Sequence, residues 1–278
     1  MIQIYGHRGF RGRWPENTLT GFLEAIKAGA TGVELDVVLS KDRQVVVSHE
    51  PWMSHKICLV PNKKTITESG EKDHNLYNLT YGQIKQYDCG SKNNPCFPEQ
   101  VSVSASKPLL REVLQAVEGK NRLVANQILV IIEVKYSESE KHVFYAPPEE
   151  YARVLVNEIR EANLPVSHIM VQSFSEEILQ EMKKQAPEIT LGLLTEEKSD
   201  PEKLIQQLGF LPQYFNPKHV LVTEQLLSFC RSQRIKILPW TVNTAPEMRR
   251  LIRMGVCGLI TDYPDIGAKV AASVNKEK

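Results

Sequence analysis

In the run Gly32-Val33-Glu34-Leu35-Asp36-Val37, two carboxylates lie two positions apart in an otherwise apolar segment. Extended backbone sends successive side chains to opposite faces. Val33, Leu35 and Val37 therefore share one face and Glu34 and Asp36 the other. Side by side on a buried strand, such carboxylates repel each other and lose hydration, which is costly or raises their pKa values. A divalent cation resolves this, because hard cations take carboxylate oxygens. Exposure to solvent, or pairing with Arg or Lys, resolves it as well. A second run, Leu129-Val130-Ile131-Ile132-Glu133-Val134-Lys135, carries Glu133 and Lys135 on one face at its far end. Charges at the carboxyl end of so apolar a strand fit the catalytic rim of a parallel barrel. An exposed Glu–Lys couple is the plainer alternative.

Two histidines sit at comparable strand ends. His7 closes a first strand in Gly6-His7-Arg8-Gly9, where small neighbours permit close backbone approach. Arg8 offers a fork suited to phosphate oxygens. His49 ends a third strand after Val45-Val46-Val47-Ser48. Two imidazoles at one rim suit an acid and a base. His55, His74, His142, His168 and His219 fall in loops or at element starts and are expected at the surface. Trp240 ends a strand, where it lines a pocket or packs in the core. Asp262, before the turn at Pro264, orients a neighbour or simply makes the turn.

Nine strand-like runs carry these residues: Ile2–Gly6, Val33–Leu39, Val45–His49, Ile128–Val134, Ile169–Ser173, Ile189–Leu194, Gln213–Asn216, Ile235–Thr241 and Leu259–Thr261. Amphipathic helix patterns lie between most of them. Leu19, Phe22, Leu23 and Ile26 keep helical spacing, with Asn17 as N-cap and Gly29 as stop. Another pattern, from Leu110 to Val117, ends at Gly119, and a third runs through Ala152, Leu155, Val156 and Ile159. Later helices open at Ser175, Asp200-Pro201, Thr223 and Thr244, the last as a capping box with Glu247. Alternating strands and helices imply parallel strands with right-handed crossovers. Their number and the chain length suit an α/β (β/α)8 TIM-type barrel with one strand surplus, the suspects being the pair Val33–Leu39 and Val45–His49. A doubly wound open sheet is the alternative, weakened because no Gly-x-Gly-x-x-Gly follows an early strand. From Pro51 to Lys107 the rhythm breaks, with one helical piece around Tyr81–Tyr87. Residues 51–107 are expected to form a loop-rich insertion or lid after the third strand, within a single catalytic domain spanning 1–278.

The chain has 278 residues, 42% of them hydrophobic, with 34 Lys plus Arg against 33 Asp plus Glu, a net charge of +1. That composition excludes disordered and fibrous classes. It gives no global reason to expect nucleic acid or an anionic membrane surface, so any anion site must be local. The absence of a long apolar run argues against a membrane-spanning helix, and no targeting segment is visible, so a cytoplasmic location is expected. Five cysteines without a CxxC pair argue against a structural zinc site or a disulfide framework; Cys89 and Cys96 are near enough in sequence to pair.

The ordered set of motifs resembles the glycerophosphodiester phosphodiesterase family. It comprises His7-Arg8-Gly9, Pro15-Glu16-Asn17-Thr18, Glu34-Leu35-Asp36-Val37, Val45-Val46-Val47-Ser48-His49, Glu133-Val134-Lys135, Trp240-Thr241-Val242-Asn243 and Gly258-Leu259-Ile260-Thr261-Asp262-Tyr263-Pro264. The resemblance implies a TIM-type barrel with one divalent cation on Glu34, Asp36 and Glu133. It implies His7 and His49 as the acid–base pair, Arg8 and Lys135 as phosphate-contacting cations, and Trp240 as the glycerol-side wall. Glu16 falls near the site. Oxygen ligands favour Mg²⁺ or Ca²⁺ over zinc. The implied reaction splits a small glycerophosphodiester into an alcohol and glycerol 3-phosphate, with no nucleic-acid partner and no integral membrane association. Two departures stand out: Glu50 where the family commonly has Asp, and Lys107-Pro108-Leu109 at the helix start after the insertion. Rival readings are a sphingomyelinase D-like lipase on the same barrel, a glycosidase using Glu34 or Asp36 with Glu133, and a non-catalytic phosphate-ligand-binding barrel. The glycosidase leaves both histidines, Arg8 and Lys135 unexplained.

Overall fold

Among the described residues eight short runs become parallel strands, most of them apolar enough to be buried on both faces. They are β1 (Gln3–Gly6), β2 (Gly32–Leu39), β4 (Leu129–Val134), β5 (Ile169–Ser173), β6 (Thr190–Thr195), β7 (Tyr214–Pro217), β8 (Lys236–Ile237) and β9 (Gly258–Thr261). The computed structural model describes residues 2–121, 128–198 and 200–276. Neighbours run in the order β8-β7-β6-β5-β4-β2-β1-β9. Backbone hydrogen bonds from Cys257 N to Ile237 O (3.0 Å), Ile260 N to Pro239 O (3.0 Å) and Val242 N to Ile260 O (2.9 Å) join the two ends of that path. The result is a (β/α)8 barrel, closed on the β8–β9 side by irregular backbone.

The surplus strand is β3 (Val45–Val47), which pairs antiparallel with β2 and stands outside the ring. It also ends before His49. The imidazole is presented by the turn that follows, anchored by Ser48 N to Asp36 O at 2.9 Å. The run Ile235–Thr241 is likewise shorter than expected, because Pro239 has no N–H for the ladder. Trp240 instead makes an isolated parallel bridge with Lys218.

Among the described residues nine α-helices accompany the strands: α1 (Leu19–Lys27), α2 (Tyr81–Ile84), α3 (Leu110–Asn121), α4 (Pro148–Glu161), α5 (Glu176–Gln185), α6 (Pro201–Leu208), α7 (Glu224–Ser232), α8 (Ala245–Met254) and α9 (Pro264–Lys276). The cap of α1 is Thr18, whose hydroxyl accepts from Gly21 N at 3.1 Å. Asn17, read as the cap, is drawn off to Asp36. Ser175, Asp200 and Thr223 cap as expected. At α8 the capping box does not form: Thr244 makes no side-chain cap bond, and Glu247 bonds outward to His219 and Arg250. Gly119 does not stop α3, which continues to Asn121; an exposed helical glycine costs only ~1 kcal/mol.

Residues 51–107 carry α2, two single-turn helices and isolated bridges, and they bury Met53, Cys58, Leu76, Ile84 and Cys89. The disulfide there joins Cys58 to Cys89, and Cys96 is free and exposed, so the Cys89–Cys96 pairing does not form. The partners are 31 residues apart, and connectivity across such a gap is not readable from spacing. His168 is buried, contrary to its expected surface place. Among the described residues no helix is long and apolar enough to cross a membrane.

The barrel interior is layered by the two-residue period of its strands. Tyr5, Ile131, Met170, Leu238 and Ile260 form an apolar plug. Two residues further along their strands come His7, Glu133, Gln172, Trp240 and Asp262. The apolar layer thus lifts a polar layer to the carboxyl-end face, where barrel sites are found.

Candidate active site

β2 projects Glu34 and Asp36 inward, and β4 lies beside it in a register that pairs Asp36 with Glu133. All three residues are buried, and each offers an oxygen within 4.8 Å of the others'. Burial, then the charges of Asp36 and Glu133, push the Glu34 carboxyl well above its ordinary pKa. Burial works the same way on Asp36, but Arg8, His49 and Lys135 outweigh it and hold that carboxylate well below. Such a cluster of crowded, dehydrated oxygen donors fits a hard divalent cation, which removes the repulsion on Glu34.

Neighbouring groups fix the donors. Glu34 Oε2 accepts from the Arg8 amide at 3.0 Å, and Oε1 lies 3.4 Å from Gln172 Nε2. Asn216 Nδ2 donates to Gln172 Oε1 at 2.7 Å, which sets the Gln172 amide so that its nitrogen faces Glu34. Gly192 leaves the room this requires, since a Cβ there would lie 2.8 Å from Asn216 Nδ2. Asp36 Oδ2 accepts from Asn17 Nδ2 at 2.9 Å. Lys135 Nζ is 2.7 Å from Glu133 Oε1 and 3.8 Å from Asp36 Oδ1.

The loop after β1 brings in the arginines. Arg8 itself takes a positive φ of 52°, a strained conformation that aims its amide at Glu34. Gly9, at φ 88°, must be glycine, because a Cβ would meet the Gly21 backbone at 2.7 Å. Glu16 is buried and divides its carboxylate, with Oε1 accepting from Arg8 Nη1 at 2.8 Å and Oε2 from Arg11 Nε at 2.7 Å. Burial opposes its charge, but the two guanidinium groups hold its pKa low. Both Glu16 oxygens are thus committed to arginines. Arg8 Nε also approaches Asp36 Oδ2 at 3.4 Å.

One cavity of about 510 Å³ gathers His7, Arg8, Glu34, His49, Glu133, Lys135 and Trp240. Asp36 and Glu16 lie behind its wall. His7 Nδ1 lies 2.7 Å from Asp262 Oδ1, and Asn243 Nδ2 donates to Asp262 Oδ2 at 2.7 Å. His49 Nδ1 lies 3.0 Å from Glu50 Oε1. Burial would raise the Glu50 carboxyl, yet His49, Lys107 and Arg8 bring it down to about 2. Lys107 is buried, and desolvation lowers its pKa despite Glu50, Glu16 and Asp36 nearby. Trp240 Nε1 donates to the Asn216 carbonyl at 2.8 Å, and its ring meets Phe174 edge-on at 5.6 Å.

Sequence reasoning passed over Asn17, Gln172, Asn216, Asn243, Arg11 and Phe174 as site residues. For Gln172 and Asn216 a signal existed, namely a lone amide at an inward position of an apolar strand.

The arrangement suits an anionic substrate attacked at a phosphorus-like centre: carboxylates for a cation, two carboxylate-held imidazoles and several fixed cations share one cleft. A sequence model of the glycerophosphoryl diester phosphodiesterase family matches residues 7–266. A glycerophosphodiester phosphodiesterase of Caldanaerobacter subterraneus subsp. tengcongensis is 32% identical over 94% of each chain. A solved structure of a candidate glycerophosphoryl diester phosphodiesterase from Silicibacter pomeroyi DSS-3 superposes with a TM-score of 0.88 at 24% identity, covering 99% of this chain and 94% of that one. An Oleispira antarctica phosphodiesterase solved with its product sn-glycerol-3-phosphate does so at 0.76 and 22% identity, covering 99% and 97%. The chain belongs to the glycerophosphoryl diester phosphodiesterase family and is an enzyme of that class.

Proposed function

We propose that this enzyme hydrolyses small glycerophosphodiesters to an alcohol and glycerol 3-phosphate, with Glu34, Asp36 and Glu133 holding one Mg²⁺ or Ca²⁺. The observation that carries this reading is the buried carboxylate triad opening on the same cavity as His7 and His49. The product bound by the Oleispira antarctica enzyme supports the glycerol 3-phosphate half. When bound, the cation supplies Lewis acidity at a phosphoryl oxygen.

The chain's own residues divide the remaining work. One of His7 and His49 accepts the proton of the attacking oxygen as it bonds to phosphorus, and the other protonates the leaving alcohol as its P–O bond breaks; the attacking oxygen is that of water, or that of the glycerol 2-hydroxyl with water then opening the cyclic phosphate. Asp262 and Glu50 bind the Nδ1 sides, which leaves each Nε2 for that exchange. Arg8 and Lys135 stabilise charge on the phosphoryl oxygens, held in place by Glu16 and Glu133. Trp240 and Phe174 form an apolar wall for the carbon face of the glycerol. Residues 1–278 act as one catalytic unit, with 51–107 as its lid.

The test is hydrolysis of glycerophosphoethanolamine and glycerophosphocholine with and without EDTA. Chelator-sensitive release of glycerol phosphate is expected. Turnover of sphingomyelin with none of these diesters would move the assignment to a lipase on the same barrel.

A further inference from the structure

Arg11 has no role so far except as a partner of Glu16, yet it lines the catalytic cavity. It is held on three sides. Its Nε donates to Glu16 Oε2 at 2.7 Å, its guanidinium stacks 4.7 Å from the ring centre of Phe97, and its carbonyl accepts from Gln100 Nε2 at 2.6 Å. Phe97 and Gln100 both come from the 51–107 segment. Only one of the five guanidinium N–H donors is thereby used. The Nη groups have no hydrogen-bond partner among the described residues, and the side chain is 21% exposed. Glu16 supplies one negative charge to two arginines, and Arg8 also draws on Asp36. The Asp262 carboxylate also feels the Arg11 charge but is bonded to His7 and Asn243, so the Arg11 Nη edge keeps its donors for a further anion.

Ring order says which half of a substrate meets it. Arg11 follows β1. Four strands away in either direction around the ring stands β6, whose Leu194 and Glu196 line the far side of the cavity with Phe174 from the end of β5. A diester's two ester arms leave phosphorus in different directions. Phe174 follows β5, three strands from β1, and Trp240 lies beyond β8, two strands from β1 the other way round, so with the glycerol against these two rings the alcohol arm is directed toward β1 and the 51–107 segment. This step rests on the reading given under Proposed function.

We propose that Arg11, clamped by Glu16 and Phe97, is a specificity-determining residue that recognises an anionic group, a carboxylate above all, on the alcohol arm of the diester. A rigid guanidinium edge matches a carboxylate in shape as well as charge and disfavours a purely cationic alcohol.

Glycerophosphoserine and glycerophosphoethanolamine make the comparison, because they differ only by one carboxylate. The wild-type enzyme is expected to prefer the serine diester by about tenfold in kcat/KM, the size of one charge-assisted contact. Arg11→Gln should bring that ratio to about one, through KM on the serine diester. Arg11→Lys, which keeps the charge but not the fork, should give an intermediate ratio. The ratio is taken on one preparation, so a partly unfolded variant does not alter it. A wild-type ratio of one or less, or an equal loss on both diesters in Arg11→Gln, overturns the proposal while the hydrolytic reading stands. Turnover of neither diester by the wild type overturns both.

Discussion

The two histidine arms of the site are built differently. His7 directly follows barrel strand β1, with its backbone tied to Thr261 O at 2.8 Å. Its Asp262 partner directly follows another barrel strand, β9, is buried, and is itself held by Asn243. His49 stands on a turn outside the ring, and its partner is simply the next residue, Glu50. Both are about 30% exposed, at 30% and 29%, against 12% and 5% for His7 and Asp262. A bond between distant, dehydrated groups on rigid strands is worth more than one between adjacent, wetted groups, because water replaces the second pair easily. One arm is therefore preorganised by the barrel and the other is adjustable.

Removing either imidazole should erase that contrast. His7→Ala and His49→Ala are each expected to lower kcat by about 10²–10⁴-fold, the usual range for lost acid–base catalysis, with unchanged far-UV circular dichroism. Near-normal turnover in either variant would end its assignment. Removing the carboxylate partners should sharpen the contrast. Asp262→Asn, which keeps the shape but reverses the demand on the His7 Nδ1 proton, is expected to cost about 10²-fold in kcat, and Glu50→Gln less than about tenfold. Equal losses would refute the difference between the arms.

The anchoring of the buried side also shows in stability. Glu16 is deeply buried between Arg8 and Arg11, and its folded pKa lies below the ordinary value of 4.5. A depressed carboxyl pKa stabilises the fold above the unfolded pKa, and that contribution fades as pH falls through the folded one. Glu16→Gln should therefore cost about 2–3 kcal/mol in urea unfolding at pH 7, and the penalty should shrink at pH 3. A penalty independent of pH would mean that shape, not charge, holds the arginines.

How much of this was readable beforehand follows from geometry. Inward-facing Glu34, Asp36, Glu133 and Lys135 declare themselves because the strand period of two is strict inside apolar runs. The surplus β3 was readable as an anomaly, since no helix fits between it and β2. Asn17 was not, because an Asn before a helix has a cap's local chemistry, and only the fold shows that Asp36 claims its side chain. Trp240 fell into the strand pattern, whereas Pro239 limits the real ladder. Arg11 depends on Phe97 and Gln100, from a segment without periodicity, so nothing local ties them together. The Cys58–Cys89 pairing is of the same kind, a contact made by a loop whose path carries no repeating signal.

The smallest expected effect tests the adjustable arm most directly. Glu50 stands where the family resemblance leads one to expect Asp, so Glu50→Asp shortens the side chain by one methylene while keeping the charge. Depressed to about 2, the Glu50 carboxyl is ionised throughout the range in which a histidine titrates, so the substitution does not change the charge beside His49. Only the reach to Nδ1, now 3.0 Å, is altered. On a half-exposed turn the backbone can yield and water can bridge the remainder, at a cost under that of a fully buried gap. A change of less than about threefold in kcat, with the shape of the pH–rate profile retained, is the expected outcome. A loss approaching that of Asp262→Asn would show instead that His49 is held as tightly as His7, and that the turn after β3 is as rigid a platform as the barrel.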